Sequence, residues 1–312
     1  MDERNALTRR NFLKKGAFVT ALSVAGVSGI ATVADARSGR YATLIDLTKC
    51  DGCKNEPMPK CVEACRKVNE QKFPNPKGPI KDLWPQKTHD DWSNKRDVIT
   101  ELTPYNWTTV QRVDVGGEEI FIPRRCMHCD NPPCANLCPF GALNKNSDGS
   151  VVINPHLCMG GAKCKTVCPW HIPQRQSGVG LYLKLQPLPA GGGVMFKCDL
   201  CHDRIKKGQV PACVEACERR LGDKRPLFFG GREAILRLAR SRAREVNGYI
   251  YGEEENGGTG TIYLSKVPFE KIDSRLREKI SNLLLGNVQN PLQDANSWAK
   301  GFLIGPMISA LV

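Results

Sequence analysis

Apolar residues in this chain come in short bursts, with few long periodic runs. One stretch has a clear helical period. From Glu233 to Val246, the apolar positions Ile235, Leu236, Leu238 and Ala239 lie among Arg232, Arg237, Arg240, Arg242 and Arg244, which predicts an amphipathic helix docked on the core. Ile120 to Pro123 reads as a short apolar strand. Gly141-Ala142-Leu143 through Val151-Val152-Ile153 reads as a hairpin turning at Asp148-Gly149. Thr261 to Leu264 reads as another strand. Between residues 66 and 118 the chain is polar, with Pro74, Pro76, Pro79 and Pro85 and the tryptophans Trp84, Trp92 and Trp107. So long a stretch is expected to cover a site or dock a partner. Ala190-Gly191-Gly192-Gly193 reads as a flexible joint.

Cysteine changes this picture. Fifteen cysteines fall into four runs: Cys50-x2-Cys53-x7-Cys61-x3-Cys65, Cys126-x2-Cys129-x4-Cys134-x3-Cys138, Cys158-x5-Cys164-x3-Cys168 and Cys198-x2-Cys201-x11-Cys213-x3-Cys217. Each is a variant of the bacterial ferredoxin run, in which three close thiolates grip one iron–sulfur cluster and a remote fourth ligates another. The third run lacks one expected thiol, and Gly161 stands in its place. Proline follows Cys138 and Cys168, as in the ferredoxin run, so the two central runs are the most regular. Short helices are expected after each C-x3-C, with the last cysteine pointing away from its own run. An odd count in tight pairs is a poor disulfide framework. Zinc ribbons also use paired C-x2-C, but they do not account for the C-x3-C half of every run. Four iron–sulfur clusters are the reading that uses every cysteine.

The amino terminus carries Thr8-Arg9-Arg10-Asn11-Phe12-Leu13-Lys14, an apolar stretch from Ala17 to Val33, and a small-residue cleavage site at Ala34-Asp35-Ala36. A twin-arginine export signal over residues 1–36 and a periplasmic protein are expected. That route carries folded cargo, so thiols would already hold metal before meeting an oxidising compartment. The tail from Trp298 to Val312 is apolar but shorter than the roughly 20 residues that span a bilayer. A packed tail and a membrane- or partner-associated one both stay open.

The formal charge of +13 would ordinarily raise nucleic acid or anionic membrane as partners. Removing residues 1–36 takes away five basic and three acidic side chains, leaving +11. Four clusters contribute about −8, so the mature holoprotein is only about +3. The basic residues are not interleaved with stacking aromatics, and no nucleic-acid partner is expected. Lys197, Arg204, Lys206 and Lys207 around the fourth run are candidates for stabilising reduced clusters. The five histidines are scattered. His128 and His202 lie inside or beside C-x2-C units, where contact with sulfur or simple exposure is expected in place of ligation. No phosphate-binding loop, dinucleotide fingerprint or catalytic constellation is present.

The order of the runs, with Lys197-Cys198-Asp199-Leu200-Cys201, Arg204 and Pro211-Ala212-Cys213-Val214-Glu215-Ala216-Cys217, resembles the four-cluster iron–sulfur subunits of the complex iron–sulfur molybdoenzymes, the dimethyl sulfoxide reductase group. The twin arginine and Val267-Pro268-Phe269-Glu270 make it most similar to the hydrogenase-2-type ferredoxin subunit of that group. The resemblance covers roughly residues 41 to 270. It implies an α+β fold of two linked, pseudo-symmetric double-cluster ferredoxin-like domains with long loop insertions. Residues 41–117 with 190–265 would form an outer domain, 118–189 a central one, and 266–312 the tail.

By the same resemblance the outer runs share ligands, as do the central runs. One cluster would use Cys50, Cys53, Cys61 and Cys217, and its neighbour Cys198, Cys201, Cys213 and Cys65. A third would use Cys126, Cys129, Cys134 and Cys168, leaving Cys158, Cys164 and Cys138 for the fourth. Nitrate reductase subunits carry tryptophan where Gly161 stands and hold a [3Fe–4S] cluster. Three [4Fe–4S] clusters and one [3Fe–4S] cluster are expected here. A [4Fe–4S] core completed by water, hydroxide or Lys163 is the alternative.

The implied role is a one-electron relay between a periplasmic catalytic subunit, a molybdenum or tungsten enzyme or a nickel–iron hydrogenase, and a membrane quinone or cytochrome subunit. A cluster-based enzyme with an open iron site at Gly161 and a structural zinc protein are the rivals. No base or substrate-positioning set accompanies the first, and metal analysis separates the second.

Overall fold

Short strands and helices organise the chain around its cysteines. The computed structural model describes residues 39–83, 87–185, 191–279 and 285–292, and among these it has ten strands and seven α-helices. The export segment, Trp84, Pro85, Ala190 and the tail from Trp298 lie outside the described residues.

The largest sheet has the order β8-β1-β10-β9, formed by Leu227–Gly231, Tyr41–Asp46, Thr261–Ser265 and Tyr249–Tyr251. Strands β1 and β10 run parallel, Thr43 opposite Thr261, while β8 and β9 flank them antiparallel. Alternation along a strand sends successive side chains to opposite faces. On one face Ala42, Leu44, Phe228, Ile262 and Leu264 meet Ile235, Leu236 and Ala239 of the helix α6, Arg232–Val246. On the other, Ile45, Tyr263, Leu227 and Phe229 join the apolar core that contains the cysteines. The amphipathic helix thus docks on the sheet, which separates it from the cysteines. Its C-terminus closes on Asn247 in the left-handed conformation (φ 49°), and Arg242 reaches the buried Asp46 carboxylate at 3.0 Å.

Two helices of ten residues, α1 (Lys60–Asn69) and α5 (Ala212–Leu221), pack together beneath this sheet. Both begin directly after a proline, Pro59 and Pro211, whose fixed φ suits a helix entry. Two one-turn helices, α2 (Pro133–Asn136) and α3 (Lys163–Thr166), pair in the same way. Around them lie two-stranded ribbons: β4 (Leu143–Lys145) with β5 (Val151–Ile153), and β6 (Gln174–Gln176) with β7 (Val194–Phe196). The first is the expected hairpin, with Gly149 at φ 89°. The short helix α4 is His202–Lys206, and α7 is Phe269–Lys279.

Three expectations change. The helices begin at the C-x3-C pairs instead of following them: α1 and α5 contain both cysteines, because a spacing of four is itself helical, while the one-turn α2 and α3 hold Cys134 and Cys164 and end before Cys138 and Cys168. Cys61 and Cys65 are both buried on α1, one turn apart; Cys61 lies near Cys50 and Cys53 of its own run, whereas Cys65 lies against Cys198 and Cys213 of the fourth run. The stretch 66–118 is not one polar excursion: Thr109–Val115 is β2, fully paired with β3, Glu118–Arg124. Ahead of it, Tyr105 and Trp107 are buried and pack edge-on against Phe73. The glycines Gly191–Gly193 are no flexible joint. Gly192 N–H donates to the Met159 carbonyl at 2.7 Å, and a Cβ on Gly193 would strike the Gln176 backbone.

The mixture of helices and strands fits an α+β class. The described residues belong to one unit, and among them no helix is long and apolar enough to cross a membrane.

Candidate iron–sulfur sites

In each run the residue just before the second cysteine position turns left-handed: Gly52 at φ 65°, His128 at 50°, Gly160 at 66° and Leu200 at 60°. This turn points a backbone N–H at the first sulfur of the run. His128 N–H and Leu200 N–H reach Cys126 Sγ and Cys198 Sγ at 3.5 Å, and Gly52 and Gly160 make the same bond to Cys50 and Cys158. At Gly160 the backbone demands glycine, since any Cβ would lie well under 3 Å from the Gly193 backbone. Gly161 differs. Its φ is ordinary, it is exposed, and nothing stands within 4 Å of where a Cβ would go.

The thiols gather in four sets, each close enough for its members to feel one another's charge. Burial pushes Cys50 up to about 12, helped by Cys217 and Cys53. The buried Cys61 is raised further by Cys213, Cys50, Cys53 and Cys217. Cys65 is raised by burial and then by Cys198 and Cys213, and Cys201 by burial and then by Cys213, Cys65 and Cys198. Cys129 is raised by burial, then by Cys126, Cys168 and Cys134. Burial pushes Cys164 up to about 12, with Cys158, Cys168 and Cys138 adding to it. Neighbouring sets lie within electrostatic reach in series: Cys61 feels Cys213, Cys198 feels Cys126, and Cys134 feels Cys164.

A small cavity is lined by Cys126, Cys129, Cys134 and Cys168, closed by Pro132, Pro133, Trp170 and Ile172, with Lys197 at its wall. Thiols this buried stay protonated when bare. Binding iron as thiolates would expel those protons, so the donor set suits a cationic core and resists solvent. Among the described residues no three His, Cys, Asp or Glu side chains close on a point that would hold a single ion.

Cations surround the second and third sets. Arg125 is buried, donates to Cys213 Sγ at 3.1 Å, and also bonds Thr43 Oγ1. Lys197 is buried too, its Nζ on the carbonyls of Val151 and Cys198. Thr108 Oγ1 and Asn69 Nδ2 donate to Cys65 Sγ at 3.6 and 3.7 Å. Sequence reasoning found Lys197 but missed Arg125, Thr108 and Asn69. Only the adjacency of Arg125 to Cys126 could have pointed to it. Of the other proposed cations, Arg204 is held by Glu215 at 2.6 Å, and Lys206 and Lys207 are exposed. His202 pairs with Asp148 at 2.6 Å.

Four buried thiol sets in series define an iron–sulfur protein. Family comparison agrees: two models described as 4Fe-4S dicluster domain match residues 49–142 and 118–223. The B subunit of the anaerobic dimethyl sulfoxide reductase of Escherichia coli (strain K12) is 30% identical over 233 residues, covering 72% of this protein and 96% of that one. The hydrogenase-2 operon protein HybA of Escherichia coli O157:H7 is 29% identical over 334 residues, covering 92% and 89%. A protein of Nitratidesulfovibrio vulgaris is 34% identical over 269 residues, and the match covers 81% of this protein but 64% of that one. The chain belongs to this family of dicluster iron–sulfur electron-transfer subunits of oxidoreductase complexes.

Proposed function

We propose that this chain relays single electrons through four iron–sulfur clusters, between a periplasmic catalytic subunit and a membrane quinone or cytochrome subunit. The observation that carries the reading is the series of four thiol sets, each adjacent to the next. In this reading Cys50, Cys53, Cys61 and Cys217 hold the first cluster, and Cys198, Cys201, Cys213 and Cys65 the second. Cys126, Cys129, Cys134 and Cys168 hold the third. Cys158, Cys164 and Cys138 hold the fourth, a [3Fe–4S] core beside Gly161. Bound clusters supply one-electron redox chemistry; the chain supplies spacing, burial and hydrogen bonds to sulfur.

The matched turns of the four runs, and the pairing of α1 with α5 and α2 with α3, support a pseudo-symmetric outer and central half. The names of the hydrogenase-2 and dimethyl sulfoxide reductase relatives support a catalytic partner of the hydrogenase or reductase kind. Export by the twin-arginine signal would bring the folded, loaded protein to that partner.

Iron and sulfide analysis with electron paramagnetic resonance tests this. About 15 iron atoms per chain and an oxidised-state signal near g 2.01 are expected. Gly161→Cys, which meets open space, should remove that signal and raise the iron content by one. Zinc without acid-labile sulfide would end the reading.

A further inference from the structure

We propose that His128 is a bridging residue that couples the second and third sites, joining them by hydrogen bonds to a sulfur of each. Its backbone N–H donates to Cys126 Sγ at 3.5 Å, and its Nε2 lies 3.7 Å from Cys198 Sγ. The tautomer follows from a third bond. Val151 N–H donates to Nδ1 at 3.0 Å, so Nδ1 is an acceptor and the ring proton sits on Nε2, facing Cys198. The ring is therefore neutral and donates to sulfur.

The remaining polar atom is used as well, since the His128 carbonyl accepts from Lys145 Nζ at 3.1 Å and Gly260 N–H at 3.2 Å. Nothing is left free to turn, and the side chain is wholly buried. The position is costly for a side chain: its φ of 50° is one that glycine adopts at the matching Gly52 and Gly160. An imidazole held there in every direction spans the step from the outer to the central half with covalent bonds in place of empty space. Its Nε2–H also stabilises the more negative, reduced state at Cys198.

This inference rests on the relay reading, and its test separates the two. In the full-length holoprotein, His128→Asn tolerates the left-handed backbone and keeps an acceptor for Val151, but cannot reach Cys198. His128→Gln places a donor near the Nε2 position. Iron content and the resonance signals of all clusters report the relay itself. Redox titration of those signals, and freeze-quench timing of the step between halves, report His128. With clusters intact, Asn should shift one cluster's one-electron equilibrium about tenfold toward the oxidised form, about 59 mV lower, and slow the step between halves. Gln should restore much of both. Unchanged potential and rate in Asn, equal effects of Asn and Gln, or loss of clusters in both would overturn the proposal. Absence of iron from the unmodified protein would overturn the relay reading instead.

Discussion

The outer and central halves hold their thiols by different means. Around Cys50 to Cys65 and Cys198 to Cys217, ten-residue helices rest beneath a four-stranded sheet whose far face is sealed by α6. Around Cys126 to Cys168, the supports are one-turn helices and two-stranded ribbons. The central half also leaves Leu137, Phe140 and Leu157 exposed, Phe140 by 54%. Isolated ribbons and single helical turns are marginal in water. The outer half thus has a second apolar core of its own between α6 and the sheet, while the central half shares only the cysteine-lined core and should depend more on metal to hold its loops.

Stripping the clusters should break the comparison most visibly. Hydrogen exchange should rise across β4–β5 and β6–β7, where binding energy is folding energy, while β1, β10 and α6 stay protected. Equal loss in both halves would refute the distinction. Ile235→Ala, a fully buried side chain between α6 and the sheet, should cost about 3 kcal/mol in denaturant unfolding and leave the resonance signals of the central clusters unchanged.

Adjacent glycines sharpen the contrast inside the central half. Gly160→Ala should cost about 2 kcal/mol and weaken cluster retention at the fourth site, from strain at positive φ and collision with Gly193. Gly161→Ala should change stability by less than about 0.5 kcal/mol.

The smallest effect concerns Asp91, which ties the 66–118 stretch to β6 through Gln176 Nε2 at 2.9 Å. Some burial raises its pKa, but bonds from Ser93 and Gln176 outweigh this and hold it below the ordinary 3.8. A depressed folded value means its contribution is full above the unfolded pKa and is lost as pH falls through the folded one. The urea midpoints of the parent and Asp91→Asn should therefore differ slightly at pH 6 and draw together as the pH falls below 3.8. A gap that does not narrow at all with falling pH would assign the effect to packing.

Much of the candidate site was legible because its signals are local. A C-x2-C pair, a C-x3-C on one helical turn, Asp148-Gly149 in a hairpin and the arginine-flanked apolar stripe of α6 each act within a few residues. The rest was not local. No periodicity in Tyr41–Asp46 announces that Thr43 will lie opposite Thr261 or that its hydroxyl will meet Arg125. The glycines at 191–193 look like a hinge until Gly160 and Gln176 are packed against them. Trp107 looks like part of a polar excursion until Phe73 and Phe196 enclose it.

Thiol spacing and turn chemistry thus determined, from the chain alone, that iron–sulfur chemistry belongs here and which cysteines open each run. Only the tertiary structure decided which distant sulfurs share a volume, which cations stand beside them, and that His128 reaches from one set to the next. Covalent neighbours restrict geometry over one turn of chain. Proximity between residues 70 or 200 positions apart is set by burial and hydrogen-bond satisfaction of the whole core, which no short segment encodes.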